Sequence, residues 1–152
     1  MEQIKYFREI CCGDDEYKQR QIKQNIKRAQ KDGNVLNQIE ETFGKDRVKE
    51  IKNEIVPDCV RYGIEEPKDI VTVAKLCDEG VDKMDAIRAA DGAKKHGDTY
   101  KLDAEKSDIL DKTLLKKARK NKNVKNEEQA RRLATDSRDM MDRFTKIRSK
   151  IQ

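Results

Sequence analysis

From residue 109 to residue 151 the apolar positions fall into two helical stripes. Ile109, Leu110, Thr113, Leu114 and Ala118 share a face of one helix. Ala130, Leu133, Ser137, Met140, Phe144, Ile147 and Ile151 then follow alternating three- and four-residue steps. That is heptad spacing over about three heptads, the lower limit for a coiled-coil seam. The connection between the stripes is short, which predicts an antiparallel helical hairpin. Self-association through 130–151, giving a homodimer, is the other way to cover the seam.

Upstream, the same period recurs in shorter pieces. Ile4, Phe7, Ile10 and Cys11 fall on one helical face that Gly13 ends. Asp14, Asp15 and Glu16 then suit the positive N-terminal end of a second helix running to "KDGN". Val35, Leu36, Ile39 and Phe43 mark a third helix closed by Gly44, and Val48, Ile51, Ile55 and Val56 a fourth, which Pro57 kinks or restarts. "EEPKDIVTVAKLCDEG" places Pro67 at a helix start and Gly80 past its end. Apolar residues cover much of that helix, which should be the most buried. "VDKMDAIRAADGAKK" follows, with Asp82 as N-cap and Asp85 three positions on, an approximate capping box. "HGDTYKLDAEKSD" reads as a polar connection. No stretch alternates apolar and polar residues, so no strand is expected.

The fold class is therefore all-α: a multi-helix core over 1–97 with a central helix-turn-helix-like hairpin, then a C-terminal helical hairpin over 98–152. "VAKLCDEGVDKMDAIRAADG" fits the helix-turn-helix pattern imperfectly, because Ile87 lies one place late and Lys75 stands where that motif has an apolar residue. The Gly80–Val81 turn followed by Ala86, Ile87 and Ala89 also resembles the first two helices of a ubiquitin-associated-type module. That resemblance spans about a sixth of the chain and implies protein binding through the turn and helix ends. The segment after Gly97 does not match its third helix. An αα-hairpin that simply forms the core explains the same stripe.

Composition sharpens this picture. The 152 residues are 35% hydrophobic and 43% charged, yet 35 basic residues against 30 acidic ones leave a net charge of only +5. Intermixed charge and helical spacing favour a folded chain over a disordered one, except around 12–16 and 119–126. The four cysteines (Cys11, Cys12, Cys59 and Cys77) form no C-x-x-C pair, and His96 is the only histidine. A zinc site is not expected, and thiols in a reducing compartment are. No apolar run reaches membrane-spanning length and "MEQIKYFREI" lacks a signal peptide's apolar stretch, so the expected location is cytoplasmic, or intracellular in a host, with no membrane partner.

Function is most legible where the charge is partitioned. From Lys18 to Lys31 the second helix carries six basic residues and no acid. Arg20, Lys23, Lys27 and Lys31 align on one face with Arg28 at its edge, opposite Ile22, Ile26 and Ala29. Gln21, Gln24, Asn25 and Gln30 surround them as uncharged donors. The second such segment is the hairpin tip, where Lys116, Lys117, Arg119, Lys120, Lys122 and Lys125 occur without an acid between them. Clustered cations release counterions from a nucleic-acid backbone. The rival account is a solvated helix face and a polar turn, with the tip answering the acidic middle of the chain. Residues 34–66 carry eight acidic against five basic side chains.

The expected partner is thus nucleic acid, DNA before RNA, contacted through phosphates by both segments. Base readout, where present, would come from Lys83, Asp85 and Arg88 on the helix after Gly80. The alternative is an adaptor or inhibitor docking on an acidic protein surface through its charged helix faces. Catalysis is not expected: His96 has no evident nucleophile or base beside it, and G-x-x-x-x-G-K is absent. No cofactor is expected.

Overall fold

The computed structural model describes residues 13–151. The expected first helix, with Ile4, Phe7, Ile10, Cys11 and the neighbouring Cys12, lies outside them. All regular structure among the described residues is helical: an all-α, multi-helix protein without strands. The chain divides into two compact units, Met1–Pro67 and Lys68–Gln152. A division at 97–98 would instead fall inside the second unit.

In the first unit α1 runs Gly13–Lys31 and α2 Gly33–Phe43. Asp32 caps α2 by accepting the Asn34 N–H at 2.8 Å. A single helical path follows: α3 Lys45–Glu50, a π-helical turn Ile51–Ile55, then α4 Val56–Arg61. Pro57 explains the π turn. Its ring clashes with the carbonyl four residues back and it has no N–H to donate, so the preceding backbone widens. The path continues past the proline instead of breaking. Val35, Ile39, Ile51, Val56 and Cys59 form the unit's buried centre. α1 packs against α4, and Gln30 donates to the Lys52 carbonyl at 3.1 Å.

In the second unit α5 spans Pro67–Asp78 and α6 Lys83–His96. Ile70, Val71, Thr72, Val73, Ala74 and Leu76 of α5 are all buried. α5 ends in a Schellman motif: Val81 N–H bonds to the Leu76 carbonyl at 3.0 Å and Gly80 N–H to that of Cys77 at 3.1 Å. Gly80 takes φ 94°, a value that favours glycine. Asp82 caps α6 through the Met84 N–H, while Asp85 pairs with Arg88 at 3.8 Å. A 3₁₀ turn, Thr99–Lys101, leads to α7, Ala104–Arg119, which starts at the Asp103 cap, inside the stretch expected to be a polar connection.

α7 and α8 (Glu127–Lys150) pack as the C-terminal pair. Contacts between Arg119 and Glu127 near one end, and between Asp111 and Arg138 further along, fix the antiparallel sense. Leu110 and Ala118 are buried, but Ile109 is 57% exposed and so lies outside the stripe assigned to it. Of the α8 stripe, Ala130 and Phe144 are buried, whereas Met140 is half-buried and its neighbour Met141 takes the buried place; α8 packs on α6 as well as α7. Arg138 ties α8 to α7 and to the 3₁₀ turn, where it donates to the Thr99 carbonyl at 3.4 Å. It reaches Asp111 at 2.7 Å, Asp142 at 3.3 Å and the Ser107 hydroxyl at 2.9 Å. Thr99 in turn donates to Asp142.

No described helix is long and apolar enough to cross a membrane.

Candidate nucleic-acid interface

α1 positions its cations by periodicity alone. Ile22 and Ile26 are half-buried and Ala29 is buried, which fixes the inward side. Arg20, Lys23, Lys27 and Lys31 are all exposed on the other side. At about 1.5 Å per residue the row extends over roughly 16 Å. Arg28, at the edge, holds Glu65 at 3.5 Å while its side chain stays 70% exposed.

Elsewhere many cations are ion-paired, and those among the described residues that are not, such as Lys49, Lys75 and Lys106, do not form a row of four. Arg61 pairs with Asp58 at 2.7 Å, Lys95 with Asp91 at 2.9 Å, and Lys112 with Asp108 at 3.0 Å. Arg143 pairs with Glu79 and Arg148 with Asp69. Among the described residues, Arg20, Lys23, Lys27 and Lys31 have no such partner. The absence of acids from Tyr17 to Lys31 is part of the reason. The helix places no carboxylate three or four residues from Lys27 or Lys31 on its own surface.

The hairpin tip is built differently. Residues 119–126 form a hydrogen-bonded turn, contrary to the disorder expected there. The Asn121 side chain accepts the Asn123 N–H at 2.9 Å, and Val124 N–H bonds to the Asn121 carbonyl at 3.1 Å. Asn126 caps α8 through the Gln129 N–H, and the Gln129 side chain accepts the Lys125 N–H, both at 2.9 Å. Arg119 is committed to Glu127, with contacts at 2.6 and 3.1 Å. This hydrogen bond holds the Glu127 carboxyl below the usual carboxylate range, with Arg119 and Arg131 adding attraction. Lys116, Lys117, Lys120, Lys122 and Lys125 remain exposed and, among the described residues, without an acidic partner. The tip therefore offers five lysines rather than six cations.

Asp85 and Arg88 are exposed and pair with each other. Lys83 is half-buried, and Asp85 and Arg88 line a groove of about 480 Å³ between α6, α7 and α8. Leu114, Leu133, Met140 and Met141 give that groove an apolar lining. Among the described residues no group of three His, Cys, Asp or Glu side chains could hold a metal ion. Cys59 is buried and Cys77 half-buried, both as thiols.

Charge does not single out Tyr17, which also lies on the α1 surface. Tyr17 is 51% exposed and stands seven residues before Gln24 and fourteen before Lys31, which puts it in line with them. Its signal was an aromatic at heptad spacing from a basic row.

No family model, curated protein or solved structure matches the chain.

Proposed function

We propose that the protein binds nucleic acid through the phosphate backbone, with α1 as the main contact surface and the hairpin tip as a second one. The observation that carries this reading is the row Arg20, Lys23, Lys27 and Lys31, exposed and without described acidic partners in a chain that pairs many of its other cations. Phosphates would supply the missing counter-charges, releasing condensed ions as they do so. The flanking amides Gln21 and Gln24 are exposed and add uncharged donors. Such contacts position a protein on nucleic acid and carry little sequence information. DNA is the first ligand to try. The groove position of Asp85 and Arg88, and their mutual pairing, make them weaker supports than the two cation sets.

The test is a fluorescence-anisotropy titration at several salt concentrations, with wild-type protein and with R20Q/K23Q/K27Q/K31Q. Wild-type binding should weaken linearly in log–log salt plots. The variant should lose affinity for all sequences alike, with the slope reduced by about 0.7–0.9 per phosphate contact removed. Absence of wild-type binding at low salt would overturn the reading.

An adaptor docking on an acidic protein surface is the second reading. Arg28 favours it, since this edge of the helix already takes a carboxylate, that of Glu65. Under that reading the quadruple variant loses a protein partner while nucleic-acid binding is absent from both forms.

A further inference from the structure

A cation row explains attraction to any polyanion, but it does not explain Tyr17. The side chain is 51% exposed, and among the described residues its hydroxyl has no hydrogen-bond partner. It follows Glu16 and opens the acid-free run. Tyr17, Gln24 and Lys31 are spaced by seven residues, and so are Arg20 and Lys27. With about 20° of drift per heptad these form two adjacent lines along one side of α1. The ring thus stands one turn ahead of Arg20, about 4.5 Å along the axis.

We propose that this face takes single-stranded nucleic acid, with a base stacked on Tyr17 and the following phosphates held by Arg20, Lys23, Lys27 and Lys31. The inference rests on the phosphate-contact reading and adds the state of the ligand. In a duplex the faces of the bases are covered by their neighbours, so an exposed ring beside the cations gains nothing from stacking. An unpaired base offers its face, and every base has one, so the contact tolerates sequence. The position of the acids agrees. Asp15 and Glu16 adjoin Tyr17 and would repel a phosphate there, whereas a base is uncharged. From Arg20 to Lys31 no acid opposes the backbone.

The experiment is anisotropy titration of the full chain with three labelled probes of equal length: oligothymidine, oligouridine and a DNA duplex. Wild type should bind single strands more tightly than duplex. Tyr17→Ala should weaken single-strand binding about tenfold, leave duplex binding nearly unchanged, and unfold at the wild-type temperature. Tyr17→Phe should keep the wild-type affinity, because the ring and not the hydroxyl stacks. Equal or tighter duplex binding, or a Tyr17→Ala effect that is absent or the same on both ligands, overturns the single-strand inference and leaves phosphate contact standing. Failure of the wild type to bind any probe at low salt overturns both.

Discussion

Gly92 lies on α6 where a β-carbon would come within 2.8 Å of Met141 Cε and 2.9 Å of its Sδ. Met141 is buried, so the glycine serves close packing of α6 on α8. Two effects of Gly92→Ala oppose each other: helix propensity gains about 1 kcal/mol, and the thioether must move. Because the crowded atoms are the flexible end of methionine, the expected net change in urea unfolding is within about 1 kcal/mol of zero. Gly92→Leu has no such escape and should destabilise by about 1–3 kcal/mol through overpacking. Arg138 is the polar counterpart, with a side chain only 16% exposed. Arg138→Met should cost about 2–3 kcal/mol, since it strips partners from Asp142 and Ser107 at once. Asp111→Asn should cost less, its side chain being 57% exposed. Neither residue was legible beforehand. Periodicity identifies which face is inward, but not which glycine meets a side chain or which arginine joins three segments.

At the scale of elements, what lies near in sequence was readable. The caps Asp82 and Asn126 and the stop at Gly80 depend on neighbouring backbone groups, so short motifs declare them. The misplacements occurred where two patterns overlap. Ile109 and Leu110 are adjacent and point about 100° apart, and only tertiary packing selects Leu110 for the core. The start of α7 was set five residues late because Ala104–Asp108 carries little apolar signal, although the Asp103 side chain caps it through the Lys106 N–H at 2.8 Å. The Arg119–Glu127 bridge spans the hairpin connection and gives that element a pH dependence. A carboxyl whose folded pKa is lowered contributes stability above its unfolded pKa and loses it as pH falls through the folded value. Glu127→Gln should therefore be slightly less stable than wild type at neutral pH. The difference should vanish in acid, below the depressed Glu127 pKa, as thermal melts across pH would reveal. The effect is small because both partners are about half exposed.

For the whole molecule, the net charge of +5 says less than its partition. Many cations are neutralised locally by acids three or four residues away, as in Lys95–Asp91 and Lys112–Asp108. Lys49, Lys52, Lys68, Lys75, Lys106, Lys146 and Lys150 also lack an ion pair among the described residues, but the largest clusters of such cations are the α1 row in one compact unit and the tip lysines in the other. Both were visible as acid-free runs in the sequence. The withdrawal of Arg119 from the tip set was not, because its partner Glu127 belongs to the next helix. Under the proposed reading, this partition is what would distinguish a specific interface from diffuse attraction to a basic protein. If counterion release comes from discrete contacts, each neutralised set should reduce the salt slope by its own number of phosphates, independent of nucleic-acid sequence. The tip variant K116Q/K117Q/K120Q/K122Q/K125Q should bind more weakly with a shallower slope, and less affected than R20Q/K23Q/K27Q/K31Q. Arg119→Gln, whose charge is already answered by Glu127, should barely move the slope. Combining the two cation sets should give the sum of their slope changes. A combined slope no shallower than that of the α1 variant alone would remove the tip from the interface and leave it as the polar end of a hairpin.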